Sequence, residues 1–255
     1  MSAASPAGLE GRTALVTGSS RGIGLAVARA LASAGARVVL NSRDAGAVRA
    51  AAEQVGNGAL GIAADLGRPE GAAGLVEKAL SAVGNLDILV NNAGMAMPAV
   101  STELSTDDWR RTIDLDLSAV FYCAQAAGRH MLERGSGAIV NVSSIQAFTP
   151  LARRVAYAAS KAGVVGVTKA LAVEWAPTVR VNAVAPGYVA TQMVEELVQA
   201  GRVSADAIAA RTPMRRMARP DEIAAAVAFL CSDAAGYITG ETLMVDGGWT
   251  AWAAI

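Results

Sequence analysis

The chain has 255 residues, 53% of them hydrophobic, and its 22 basic residues balance 22 acidic ones. That length can bury a large core as a single α/β domain, and zero formal charge with no run of like charges excludes the electrostatic footprint of a nucleic-acid binder. Apolar stretches are interrupted by Gly, Asn or charge well short of the ~20 residues of a membrane span.

The opening "MSAASPAGLEGR" lacks the basic and apolar regions of a signal peptide, and residues 1–11 are expected to be a flexible lead-in. From there, short β-branched runs alternate with Ala-rich helical segments. "TALVT" (13–17) precedes a helix over 22–34, and "RVVLN" (37–41) a helix over 44–55. "ALGIA" (59–63) precedes a helix over 69–82, and "LDILV" (86–90) a long helix over 106–134 that "STDDW" caps at its start. "GAIVNV" (137–142) leads to a helix over 157–176, and "VRVNAVA" (179–185) to a long segment, 187–219, that fits neither strand nor regular crossover. A helix over 220–231 begins at "RPDEIA", with Pro220 and acids in its first turn, and "TLMVD" (242–246) closes the series. Several strand runs are apolar on consecutive residues, the mark of strands buried on both faces. The expected architecture is one α/β domain spanning 1–255: a doubly wound, seven-stranded parallel sheet with right-handed crossovers and helices on both faces. The segment 187–219 is expected to be a substrate loop.

Two features of composition narrow the chemistry. Cys123 and Cys231 have no metal-ligand spacing and no disulfide framework, so a reducing cytoplasm fits. The single histidine, His130, makes a His-based metal site or a Ser-His-Asp triad unsuited to this chain; beside Arg129 in a long helix it reads as a partly exposed structural residue.

"TGSSRGIG" (17–24) joins the first strand to the first helix. Gly18, Gly22 and Gly24 let backbone approach a pyrophosphate, and the helix N-terminus offers free N–H groups, so Gly18, Ser20, Arg21, Gly22, Ile23 and Gly24 form a candidate dinucleotide cradle. At the end of the second strand, an acid would bind the ribose 2′-hydroxyl of NAD; here "LNSRD" puts Ser42 and Arg43 instead. With Arg21 nearby, the corner favours the 2′-phosphate of NADP(H). Arg43 could alternatively pair with Asp44, itself a plausible cap for the next helix.

"NNAG" (91–94) and Ser143–Ser144 also follow strands, and ligands of open parallel sheets sit beyond such strand ends. "YAASK" places Tyr157 and Lys161 four residues apart, on one helix face, thirteen residues beyond Ser144. Alone, that pair is equally a solvated polar face. Its convergence on the cofactor edge turns the reading toward proton transfer.

Together these residues resemble the short-chain dehydrogenase/reductases, in their branch of about 250 residues, from Thr13 to Gly248. The motifs that carry the resemblance are "TGSSRGIG", "AADL", "NNAG", the Ser144–Tyr157–Lys161 spacing, "APG" (185–187) and "VDGG" (245–248). The resemblance implies a single-domain Rossmann fold and these roles. Tyr157 is the acid in carbonyl reduction and the base in alcohol oxidation. Ser144 binds the substrate oxygen. Lys161 holds the nicotinamide ribose and favours the Tyr157 phenolate electrostatically. Asp65 and Leu66 contact the adenine; Asn92, Ala93 and Gly94 pass under the cofactor; Pro186, Gly187, the Val189 backbone and the Thr191 hydroxyl bind the carboxamide end. One departure stands out: "LDLSAVF" puts Asp116 where the family has an asparagine that shapes a helix kink and holds a water leading from the lysine, and Ala119 where it has a glycine. The relay is expected to survive with an altered pH profile. A catalytically weak NADP-binding regulatory or scaffold protein is the alternative of another class.

Substrate contacts are expected from Ile145, Gln146 and Phe148 on one wall and Tyr188, Met193 and Val194 on the other. Arg153 and Arg154 are carboxylate anchors or solvated helix-start residues. "APGYVATQM" and "VDGGWTAW" look similar to polyol and sugar-acid dehydrogenases of the family, which implies a small polar ketone, keto-sugar or polyol. Its 3-oxoacyl carrier-protein reductases share most of these motifs, and for them Arg211, Arg215, Arg216 and Arg219 would form a docking patch unless they pair locally. The helices over 106–134 and 157–176 are apolar on more than one side. By the family's pattern they form one dimer interface, and the tail with Trp249 and Trp252 a second, giving a homotetramer.

Overall fold

A computed structural model describes residues 8–201 and 203–252, apart from the side chains of Met193 and Leu197. The described residues form a seven-stranded parallel sheet: β1 (Thr13–Val16), β2 (Arg37–Ser42), β3 (Leu60–Ala63), β4 (Ile88–Asn91), β5 (Gly137–Val142), β6 (Val179–Pro186) and β7 (Thr242–Val245). Their order is β3-β2-β1-β4-β5-β6-β7. The chain therefore reverses its direction of winding between β1 and β4, and a crevice opens there at the carboxyl ends of the strands.

Consecutive apolar residues in the strands feed two cores. Ala14, Val16, Val38 and Leu40 face one layer, where α1 (Gly22–Ser33), α2 (Ala45–Val55) and α9 (Pro220–Cys231) contribute Val27, Leu31, Val48, Ile223 and Leu230. Leu15 and Val39 face the other, with Leu75 of α3 (Pro69–Val83), Met131 of α5 (Ala119–Arg134) and Trp175 of α6 (Val155–Trp175). The period-two alternation of strand side chains divides one apolar run between both layers. Asp44 caps α2 by accepting from Ala47 N–H at 2.9 Å, and Ser105 caps α4 (Thr106–Ile113) by accepting from Asp108 N–H at 3.0 Å. Among the described residues no helix is long and apolar enough to cross a membrane.

Four local expectations are corrected. The segment 106–134 is not one uniform helix: a π turn over Asp114–Ser118 separates α4 from α5. Within the bulge, Leu117 packs closely against α6 at Gly163, where an added Cβ would stand 2.7 Å from a Leu117 methyl. The segment 187–219 holds two short helices, α7 (Gln192–Gln199) and α8 (Ala205–Arg211), capped by Thr191 and Ser204. The sixth helix starts two residues earlier than read, at Val155. Part of the expected lead-in is packed: Leu9 is buried in the first core and its N–H donates to Ala34 O at 2.9 Å.

Candidate active site

The candidate cofactor cradle is built by bare backbone. Gly18 has φ +60°, and a Cβ there would stand 2.7 Å from Ala93 Cα. A Cβ on Gly24 would stand 2.5 Å from both Asn92 Nδ2 and Gly18 O. The "NNAG" strand end thus lies flush against the glycine loop. Asn92 fastens it, its amide donating to Thr17 O at 2.9 Å and Gly18 O at 3.0 Å. The Thr17 hydroxyl accepts from the N–H groups of Asn92 (2.9 Å) and Ala93 (3.0 Å). Ser20 is half-buried in the loop and Arg21 is the N-cap of α1. Beyond it, the first-turn N–H groups of Gly22, Ile23 and Gly24 have no acceptor within the helix.

At the end of β2, the Ser42 hydroxyl accepts from Asp44 N–H at 3.1 Å, and the Asp44 carboxylate turns to its helix cap. Arg43 is exposed, as is Arg21, and among the described residues neither forms a salt bridge. Asp65 is exposed and accepts from Gly67 N–H at 3.1 Å, while Leu66 is buried. A glycine loop without side chains, open helix N–H groups and uncompensated cations fit a dinucleotide along this edge.

The three catalytic candidates meet where β5 ends. Lys161, 3% exposed, donates from Nζ to Val142 O at 3.0 Å. Ser143 ties the same two elements from the other side, donating from Oγ to Lys161 O at 2.9 Å and from N–H to Val184 O at 2.8 Å. Of the serine pair, then, Ser143 is structural, and Ser144 points its Oγ elsewhere, accepting from Gln146 N–H at 3.2 Å. That leaves the Ser144 hydroxyl proton for another acceptor. Tyr157 is half-buried, one helical turn before Lys161, with the ammonium 5.6 Å from its ring centre.

Asp116 lies beneath this group in the π turn, fully buried. Its Oδ1 accepts from Met95 N–H at 2.8 Å, and its Oδ2 has no partner among the described residues. Burial pushes the carboxyl up from 3.8 to about 6, against the opposing pull of the Lys161 charge and the Met95 bond. A Cβ on Gly94 would stand 3.3 Å from Asp116 Oδ1 and 3.4 Å from Lys161 Nζ, so this loop passes directly over both.

The bracing roles of Asn41, Asn91, Asn141 and Ser143 were not evident from the sequence. Asn91 donates to Asn141 Oδ1 at 2.9 Å, and Asn141 donates to Thr168 Oγ1 at 2.9 Å, a buried chain joining β4, β5 and α6 beneath the site. Asn41 donates its N–H to Ser19 Oγ at 3.0 Å and its amide to Ile62 O at 3.2 Å and Ala64 O at 3.3 Å, bracing the glycine loop. The available signal was an asparagine inside an otherwise apolar strand. Ser143 was hidden by its neighbour.

On the loop after β6, Pro186 ends the strand, and Gly187 lies so near Asp246 that a Cβ would stand 2.9 Å from its Cα. Val189 pairs with Ala218 in a short bridge, and Thr191 Oγ1 accepts from Val194 N–H at 3.4 Å. Tyr188 packs on Trp249 with ring centres 5.2 Å apart. Burial pushes the Tyr188 phenol up and the Arg154 charge pulls it back. Gln146 is half-buried with an unpartnered Oε1, and Phe148 is exposed. Ile145, the next residue after Ser144, is buried. The predicted contact from the Met193 side chain lies outside the described residues.

The four arginines of the supposed docking patch are engaged locally. Arg216 bridges Glu222 with two 2.7 Å bonds, and Arg219 pairs with Asp221 at 3.1 Å. Arg211 lies 4.8 Å over Trp249, and Arg215 lies 5.5 Å over Trp252. His130 is half-buried, with Nε2 2.9 Å from Asn85 Oδ1.

Comparison with known proteins agrees with this geometry. Residues 18–250 match the family model described as "Enoyl-(Acyl carrier protein) reductase". The chain is 47% identical to a cis-4-hydroxycyclohexanecarboxylate dehydrogenase of Sinomonas cyclohexanicum, over 94% of this chain and 97% of that protein. It is 45% identical to a D-threitol dehydrogenase of Mycolicibacterium smegmatis, over 95% and 94%. A solved structure of a candidate NAD(P)-dependent gluconate 5-dehydrogenase from Beutenbergia cavernae, holding NADP at low occupancy, superimposes with a TM-score of 0.91 at 43% identity, covering 97% of this chain and all of that one. With a matched fold, a matched sequence and a sheet edge built for a dinucleotide, the chain belongs to the short-chain dehydrogenase/reductase family, oxidoreductases acting on alcohol and carbonyl groups.

Proposed function

We propose that this protein is an NADP-dependent dehydrogenase/reductase that interconverts a secondary alcohol and a ketone on a small polar or alicyclic molecule, using Ser144, Tyr157 and Lys161. The observation that carries the reading is the buried Lys161 ammonium 5.6 Å from the Tyr157 ring, fixed to the end of β5 that also presents Ser144. A nicotinamide dinucleotide supplies or accepts the hydride when bound. In reduction, the Tyr157 hydroxyl gives its proton to the carbonyl oxygen, and Ser144 donates a hydrogen bond to the same oxygen as charge develops there. Lys161 stabilises the resulting phenolate electrostatically. In oxidation the phenolate takes the alcohol proton. Removing the phenolic hydroxyl should therefore be far more damaging than its size implies.

Ser42, Arg43 and Arg21, with the Asp44 carboxylate committed to a helix cap, favour a 2′-phosphate over a bare ribose. The local pairing of Arg216 and Arg219 favours a free small molecule over a carrier-borne acyl chain. The exposed apolar side chains Phe121 and Val173, on α5 and α6, support self-association through these helices, which the proposed homotetramer would use. The test follows reduced nicotinamide with NADP and NAD separately against polyols, sugar acids, a hydroxycyclohexanecarboxylate, small ketones and an acetoacetyl thioester, in parent and Tyr157→Phe. Turnover with NADP that falls at least about 100-fold in Tyr157→Phe supports the reading. Cofactor binding without turnover of any substrate overturns it.

A further inference from the structure

We propose that Arg211 is a positioning residue for substrate binding: it fixes the Trp249 indole, and through it the Tyr188 ring, so that the loop after β6 presents a set wall to the substrate. The inference rests on the alcohol–ketone reading above and extends it to α8 and the turn after β7. Tyr188 belongs to the site by its place in the fold. β6 lies beside β5, and Ser143 N–H donates to Val184 O at 2.8 Å, so the residues after Pro186 run past the strand end that carries Ser144. Farther along the same loop, a Thr191 methyl lies 3.6 Å from where a Cβ on Gly22 would stand. The loop 187–191 therefore spans from the Ser144 strand end to the glycine loop, with Tyr188 between them.

Hydrogen bonds fix the backbone of this loop. Gly187 N–H donates to Val245 O at 3.0 Å, Ala218 N–H to Tyr188 O at 2.9 Å, and Ala190 N–H to Ala218 O at 2.8 Å. The Tyr188 ring is set by packing instead: it meets Trp249 with ring centres 5.2 Å apart and planes tilted by 56°, within the range that aromatic pairs prefer. Trp249 is held in two ways. Asp246 shapes its turn, accepting from Gly248 N–H at 2.9 Å, Thr250 N–H at 2.8 Å and the Thr250 hydroxyl at 2.6 Å. Half-buried Arg211, the last residue of α8, donates to Trp249 O at 3.3 Å. Its guanidinium lies 4.8 Å over the Trp249 ring and 5.6 Å from that of Trp252. The turn keeps its Asp246 bonds without Arg211, but the indole loses the flat cation packed on its face. Removing the guanidinium therefore leaves strands, turn and glycine loop in place and frees the two rings. The loss falls on substrate binding and spares the cofactor and the chemical step.

The experiment measures kcat and KM for a hydroxycyclohexanecarboxylate and for threitol with NADP, and NADPH affinity by fluorescence titration. The proteins are the parent, Arg211→Ala, Arg211→Lys, Tyr188→Ala and the double variant of Arg211→Ala with Tyr188→Ala. Arg211→Ala should raise KM by at least about threefold, as expected when a partly buried cation–π contact is lost. Its kcat and NADPH affinity should stay within about twofold of the parent's, and Arg211→Lys, which keeps the charge without the flat fork, should restore part of the KM. In the Tyr188→Ala background, Arg211→Ala should raise KM no further, because its effect runs through that ring. Additive losses in the double variant overturn the proposal. So does an unchanged KM, or a parallel fall in kcat, NADPH affinity and unfolding midpoint, which would mark a purely structural role. Near-ultraviolet circular dichroism, which reports fixed aromatic packing, frees the test from turnover. Arg211→Ala should lose the band that Trp249→Phe loses, and retention of that band overturns the proposal. Loss of the band in a protein that turns over no alcohol supports the fixing of Trp249 by Arg211, and it is then the dehydrogenase reading that fails.

Discussion

Replacing Asp116 by Asn isolates one buried charge. The carboxyl is fully buried and pushed from 3.8 to about 6, chiefly by burial. Because the folded value lies above the unfolded one, folding favours the protonated acid. The stability this gives is present below about pH 4 and lost as the pH rises through about 6. A shift from 3.8 to about 6 corresponds to about 3 kcal/mol once the group is ionised in both states. Asn keeps the acceptor for Met95 N–H and cannot ionise, but it puts an amide where Oδ2 has no partner, at a cost of about 1–3 kcal/mol. That cost is the same at every pH, so the informative quantity is the change with pH. The stability of Asp116→Asn relative to the parent should rise by about 3 kcal/mol between about pH 4 and pH 7. Urea unfolding at a series of pH values measures it, with the m-value checked for constancy. A difference that stays flat across that range refutes the buried, elevated carboxyl. The pH dependence of kcat/KM for alcohol oxidation tests the functional side: an inflection near 6 in the parent should vanish in the variant. Superimposable profiles would mean that Asp116 does not tune the relay.

Other expectations follow from single contacts. Gly24→Ala would place a Cβ 2.5 Å from Asn92 Nδ2 and Gly18 O, so NADPH affinity, read by fluorescence titration, should fall by at least about tenfold, as expected when a strand-to-helix phosphate loop is displaced. Asn141→Ala leaves the Asn91 amide and the Thr168 hydroxyl without their shared partner and should destabilise the fold by about 2–4 kcal/mol; an unfolding midpoint equal to the parent's would contradict the buried chain. Ser42→Asp with Arg43→Ala should turn preference from NADP toward NAD in kcat/KM, and an unchanged ratio would remove that corner from cofactor choice. Trp249→Ala removes the face that supports Tyr188 and Arg211, so KM should rise more than kcat falls.

The sheet, its neighbouring helices and the glycine loop at the sheet's edge were legible in the sequence because each rests on a local rule. Consecutive apolar residues announce strands covered on both sides, and glycines between a strand and a helix announce close approach of backbone. That Tyr157 and Lys161 share a helix face was legible because four residues on a helix are one turn. Tertiary contact decided the rest. Whether Ser143 or Ser144 stays free depends on which hydroxyl meets Lys161 O, a residue eighteen positions away. The π turn at Asp114–Ser118 packs Leu117 on Gly163 of another helix, and the elevated Asp116 carboxyl comes from its burial there. Asn41, Asn91 and Asn141 became braces only when three strands aligned their carbonyls and amides. The arginines at 216 and 219 found acids at the start of α9, whereas Arg153 and Arg154 did not, a difference that no spacing encodes. Sequence determined which backbone forms which element, since those choices are short-range; charge state and hydrogen-bond partnership are set by what long-range folding brings alongside.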